Sequence, residues 1–430
     1  MSTVTIQIDT SQLSYPEFLI PGVMPGFVNG ATSPSITLPP GTYNFQQASG
    51  YFADFTFTVD AAGHVGFDPS FERFLQGAGT SRLTVVGFPI HLVATALDHD
   101  LLPIVAGAGV LSHTSAHDLR LVPASHYGFQ PGSGIVADFE FGVDLRGQVV
   151  VNATYSSFAS SSDSTLTITG HRIQVDARAL SHDVLPVSLL GYTGGPLSRA
   201  SVNQLTLIPA SGYDFQPGSG IVASFSYAVD AAGKVEVDPK YSSFASATSS
   251  ILTIRGHTIH IDGRGLSHDL LPISLLGYTG GFLSRASVNQ LTLIPAVGYT
   301  FQPGSGIVAD MTYTVGLDGT VSFPASCSGF LGGSGTDTLI VGGYPVLVDA
   351  TLADSDLLSI VNAVGVVAEA RRYLFAILVP AEGYAPQTAH GILHGFGIQR
   401  DGSVNFDGSI TGHYVLTTIP RLEIRGTTPF

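Results

Sequence analysis

Apolar and polar side chains alternate with a period of two along most of this chain. Residues 220–230 read GIVASFSYAVD and residues 234–238 read KVEVD, with AAG between them. Such alternation sends successive side chains to opposite faces of a strand, and the Asp-x-x-Gly break between two alternating runs predicts a hairpin. The break recurs at Asp60/Gly63 and Asp144/Gly147, and in the shorter Asp-Gly form at Asp318/Gly319 and Asp401/Gly402. Further strands are predicted at SILTIRG, TIHID and SVNQLTLIP. The apolar run SHDLLPISLLG fits either a short Asp-capped helix ended by Gly277 or a buried strand, which periodicity does not separate.

The pattern repeats. LVPASHYGFQPGSGIVADF from Leu121, LIPASGYDFQPGSGIVASF from Leu207 and LIPAVGYTFQPGSGIVADM from Leu293 are nearly superimposable, and weaker copies start at Thr37 and Leu378. Tyr43, Tyr127, Tyr213, Tyr299 and Tyr384 mark five copies at intervals of 84, 86, 86 and 85 residues. Five all-β units of this size define the architecture before any single residue is considered.

The phase of the repeat shapes the expected fold. The chain stops at RLEIRG, which matches ILTIRG at Ile251 to Gly256, and it opens with TIQID, which matches the HTIHID that follows Gly256. Read this way, the chain starts halfway through a unit and finishes with the missing half. The arrangement resembles the shared blade of β-propellers, in which terminal strands pair and close the ring. The resemblance implies an all-β, five-bladed propeller filling residues 1–430. Its units are expected near 38–120, 121–206, 207–292, 293–377, and 378–430 completed by 1–37. Five small sandwiches or barrels in a closed or stacked array are the alternative.

Composition narrows the partners. The 32 acidic side chains outnumber the 17 basic ones, giving a net charge of −15, and Lys234 and Lys240 are the only lysines. Phosphate backbones repel such a surface, so nucleic-acid binding is not expected. One cysteine, Cys327, precludes an intramolecular disulfide. No secretory leader is expected from the residues before the first strand, and no apolar run reaches the length of a membrane helix. A soluble monomer is expected, with its compartment open between cytoplasmic and secreted.

Several polar series could carry chemistry. His-Asp recurs at His99-Asp100, His182-Asp183 and His268-Asp269, and is read as a cap or turn in preference to a general base. Asp9, Asp176, Asp262 and Asp349 share one strand position, with Arg178 and Arg264 placed for salt bridges within a unit. Asp54, Asp138 and Asp310 share another. Around a channel they would converge, either to hold Ca²⁺ or, with His394 from the fifth copy, to form an acid/base set. The fifth copy departs most from the repeat, with Arg371, Arg372, His390 and His394, and the second carries His113, His117 and Asp118.

The near-identical loops at Tyr192 and Tyr278 point to equivalent ligand sites built from Tyr192, Arg199, Asn203, Tyr278, Arg285 and Asn289. They favour a multivalent, lectin-like module for a carbohydrate or other small molecule, since equal sites on one rigid body bind by avidity. The alternatives are an enzyme with a single acid/base site for hydrolysis or cyclisation, and a structural or protein-interaction ring.

Overall fold

The computed structural model describes the chain except residues 1, 48–50, 105–108, 305, 354–355, 362–371, 389–390, 407–413, 417–420 and 426–430. The expected strands are present, but they do not form a propeller. They build five successive units spanning residues 4–85, 88–168, 171–254, 257–341 and 344–425, each with two facing sheets.

The third unit shows the plan. Its strands are β1 (His171–Asp176), β2 (Leu185–Pro186), β3 (Val202–Leu207), β4 (Ala210–Gln216), β5 (Ser226–Val229), β6 (Val235–Val237), β7 (Ala245–Thr248) and β8 (Ile251–Ile254). One sheet runs β3-β1-β8-β7 and the other β2-β4-β5-β6. β1 pairs antiparallel with β3 along its whole length, and parallel with β8 through Gln174↔Ile251 to Asp176↔Thr253. The inward side chains of both sheets form one core, with Ile173, Val175, Leu207, Phe215, Phe244 and Leu252 buried together. This is a two-layer sandwich. The other units repeat the pairing, with the second sheet of the fourth unit split in two and that of the first and fifth carrying an extra strand.

This pairing overturns the five-bladed ring. ILTIRG ends one sandwich, and HTIHID, residues 257–262, begins the next in a different sheet. The repeat boundary therefore falls at Gly256, between segments expected from the sequence to share one blade. Neither chain end is a half-unit. Val4–Asp9 pairs with Ser35–Leu38 and Arg82–Val85 of its own unit, and Arg421–Arg425 pairs with Tyr344–Leu352 of the fifth. Among the described residues no strand is left to close a ring, and no sheet is closed.

The tyrosines that mark the repeat brace each sandwich from within. Tyr213 Oη donates to Ile208 O at 2.7 Å, and Tyr127, Tyr299 and Tyr384 bond in the same way to Val122, Ile294 and Val379. Tyr43 donates to Pro39. The apolar run between β1 and β3 contributes the two-residue strand β2 and no helix. Among the described residues no helix is long and apolar enough to cross a membrane.

Successive units meet in one repeated joint. Asp138 N donates to Pro209 O of the next unit at 2.8 Å, as do Asp54, Ser224 and Asp310 to Pro123, Pro295 and Pro380. Ser181 N donates to Thr292 O at 2.9 Å, and Thr292 N returns a bond to Ser181 Oγ at 2.8 Å. Ser14 with Arg120, Asp98 with Thr206 and Ser267 with Ile377 make the same reciprocal pair. A head-to-tail joint of this kind closes a ring only if the last unit meets the first, and among the described residues no such bond joins the fifth unit to the first, so the array is open. The accessible surface agrees: 18107 Å², against roughly 15,700 Å² for a compact protein of this mass.

Candidate functional site

The loops singled out by their near-identity are held in place by their own side chains. Asp183, just before β2, accepts at 2.8 Å from the backbone N of Arg199 in the loop between β2 and β3. Asn203 accepts from Ser198 N at 3.1 Å and donates to Ser198 O at 2.8 Å. Asp269, Arg285 and Asn289 repeat this network in the fourth unit. In the second unit His113 stands at the arginine position and His117 at the asparagine position, with His117 Nε2 bonded to Ser112 O at 2.8 Å. Tyr192 and Tyr278 lie half-buried against the cores of their units. The guanidinium of Arg199 crosses the joint to Thr279 Oγ1 at 2.7 Å, and that of Arg285 donates to Ser267 O at 2.8 Å. Four of the six side chains expected to hold a ligand, Arg199, Asn203, Arg285 and Asn289, thus make bonds that order loops or joints.

His99, His182 and His268 are buried at the joints. Each donates from Nδ1 to the carbonyl of the following residue, Asp100, Asp183 or Asp269, at 2.9, 2.7 and 2.9 Å. The neighbouring carboxylates cap loops instead, so the motif is a turn and not a His–carboxylate dyad. Nε2 of all three has no partner. Loss of solvation disfavours the charged ring, pushing His99 and His182 down to about 4 and His268 in the same direction.

The Asp9 series forms ion pairs inside each unit. Arg178 and Arg264 bind Asp176 and Asp262 two residues away, each at 2.9 and 2.8 Å. Asp9 and Asp349 take Arg82 and Arg421 from the parallel strand instead. The arginine bond is the largest cause holding the Asp176 and Asp262 carboxyls below their ordinary range.

Asp54, Asp138 and Asp310 occupy equivalent exposed positions, each at a different joint. Asp54 accepts from Ser125 Oγ at 3.1 Å, and Asp310 takes a two-pronged bond from Arg400 at 2.9 and 2.7 Å. The convergence that a ring would impose on these carboxylates and the half-buried His394 does not arise in an open array. Among the described residues no three His, Cys, Asp or Glu side chains group to hold a metal ion. Arg371 and His390 lie outside the described residues. Sequence reasoning passed over Arg400, although it departs from Leu145, Ala231 and Leu317 at the same turn and was open to detection as a break in the repeat.

Concave surface recurs along the array. A groove of about 640 Å³ in the third unit is lined by Ser211, Tyr227, Lys234, Glu236, Asp238 and Ser246 among others. A groove of about 360 Å³ lies at the same place in the second unit, where Ser125, Phe141, Val150 and Asn152 stand at the corresponding positions. His126 and Glu140, paired at 2.8 Å, and Asp54 of the preceding unit complete that second lining. A third cleft, about 320 Å³, opens at the joint between the second and third units.

No protein-family model matches the chain, and no curated protein matches it. Among solved structures the chain is similar to the pilus adhesin SpaC from Lactobacillus rhamnosus GG in its open conformation, at 12% identity over 79% of this chain, with a TM-score of 0.19. A second structure of that adhesin gives 14% identity over 79% of this chain and a TM-score of 0.18. The match spans 42% and 43% of the adhesin chain, less than half its length.

Proposed function

We propose that the chain is an elongated binding array, in which rigidly jointed sandwiches present a series of related grooves to a repetitive or extended partner. One observation carries this reading: the same groove recurs at the same place in the second and third units, keeping a serine at Ser125 and Ser211 while His126 and Glu140 in one give way to Lys234 and Glu236 in the other. Repetition supplies valency and a fixed spacing, and variation gives each groove its own chemistry. A carbohydrate is the ligand class that suits small polar linings interleaved with Tyr155 or Tyr227. The side chains best suited to acid/base work, Asp54, Asp138, Asp310 and His394, belong to separate places on the array, which disfavours the single catalytic centre.

A spacer role is the second reading. It is favoured by the commitment of Arg199, Asn203, Arg285 and Asn289 to loop and joint bonds. Thermal unfolding of the whole chain against mono- and disaccharides, with and without Ca²⁺, separates the two. The binding array predicts that at least one sugar raises the melting temperature with more than one site per chain. Absence of any shift, together with no retention on immobilised polysaccharide, would leave the spacer.

A further inference from the structure

We infer that the cleft between the second and third units is a binding site for a guanidinium group, of the kind carried by an arginine side chain of a partner polypeptide. The molecule contains its own template for the site. At the next joint along the array, the guanidinium of Arg199 reaches from one loop to the following copy of that loop and donates to Thr279 Oγ1 at 2.7 Å. At the joint before it, the arginine position is held by His113. Its backbone N and ring Nδ1 both bond to Asp100 Oδ1, at 2.8 and 2.7 Å, so the side chain turns back within its own unit. Space that an arginine spans at one joint is left open at the other, as a cleft of about 320 Å³.

The groups facing that space suit a planar cation. Thr193, the counterpart of Thr279, lines the cleft and is exposed. Asp98 lines it too, where the other joints carry Ser14, Ser181 and Ser267. One oxygen of Asp98 accepts from Thr206 N at 2.6 Å, and the other has no protein donor among the described residues. The departure therefore adds a carboxylate where the arginine is missing. Tyr192 lines the cleft as well, and an aromatic ring there suits a flat cation. Gln204 also lines the cleft, as does Asn203, whose amide is held by the loop. A guanidinium has donors enough to bridge Asp98 and Thr193 together, whereas an ammonium is a point charge without the fork. The inference goes beyond the binding array proposed above and holds equally for a spacer, since it rests on the joint and not on the grooves.

The test is titration of the full chain with N-acetyl-arginine amide, with the citrulline and lysine analogues in parallel. The arginine probe is expected to bind at one site per chain, at least about tenfold more tightly than citrulline, a urea of the same shape that lacks the charge and replaces one donor nitrogen by an acceptor oxygen. It should also exceed lysine. His113→Arg, which restores the residue of the sister joint, should abolish binding while the protein stays folded. Asp98→Ser should weaken it about tenfold or more. Conversely, Ser181→Asp combined with Arg199→His should create a second site and raise the stoichiometry to two. Equal binding of citrulline or lysine, retention of binding in His113→Arg, or no saturable binding of the arginine probe would each overturn the assignment.

Discussion

Acidifying the protein from pH 7 towards pH 4 is expected to cost the second and third units about 3 kcal/mol each, most of it above the pH range in which ordinary carboxylates titrate. The cause is the buried histidine at each joint. His99 and His182 ionise in the folded chain only at about 4, against 6.5 for a solvated ring. The unfolded chain therefore takes up protons that the native chain refuses. Stability from these groups is fully present above pH 6.5, falls as the pH drops below it, and is exhausted near pH 4. His268 adds a loss of the same sign in the fourth unit. The groups facing the three rings do not reverse the effect. Asp98, Asp100 and His113 face His99, Asp183 and Arg199 face His182, and Asp269 and Arg285 face His268, yet burial is the largest cause in each case. The paired aspartates Asp176 and Asp262 are held below 3.8, so their contribution is lost only at lower pH. Melting temperatures measured between pH 7.5 and 4.5 check this. The triple variant His99→Gln, His182→Gln, His268→Gln should flatten most of the pH dependence. An unchanged slope in that variant would assign the acid sensitivity elsewhere.

Replacing Gly256 by alanine is expected to destabilise the protein by about 3 kcal/mol, through strain and a backbone clash together. Gly256 has φ +66°, a region that disfavours any residue with a Cβ. An added Cβ would stand 2.7 Å from Leu180 Cδ2 and 2.8 Å from Leu293 O. The carbonyl belongs to a strand that is hydrogen-bonded on both sides of the boundary, so it has little freedom to withdraw. Gly281 is the control. It has φ +71° and nothing within 4 Å of its virtual Cβ, so alanine there should cost only about 1 kcal/mol. Denaturant unfolding of both variants measures the difference. Equal costs would mean that residue 256 is an ordinary turn, and not the tightly packed crossing from one sandwich to the next.

That crossing is also where the sequence misled. Strands, hairpins and the five-fold repeat are legible because period-two alternation and Asp-x-x-Gly turns are local signals, and Tyr213 with its counterparts spaces them evenly. The partner of β1 is not local. β8 lies some eighty residues further on and pairs in parallel, which needs no turn and leaves no signature in the chain. ILTIRG and HTIHID are adjacent in sequence, so they read as one hairpin-like unit although a sandwich boundary divides them. The candidate site was legible in part. His113 and its neighbours stood out as breaks in the repeat. The role of Asp98 did not, because a carboxylate beside His99 reads as one more copy of the His-Asp motif until the opposite wall of the joint is seen. The loops at Tyr192 and Tyr278 were noticed for their identity, which follows from the joint geometry that each copy must satisfy.

Small-angle scattering of the full chain in solution tests the open array most directly. A compact single body of 430 residues has a radius of gyration of about 22 Å. Five sandwiches joined head to tail predict a clearly larger value, with a distance distribution that peaks near the width of one unit and trails to long distances. A radius close to 22 Å with a symmetric distribution would contradict the array and restore a closed arrangement of the five units.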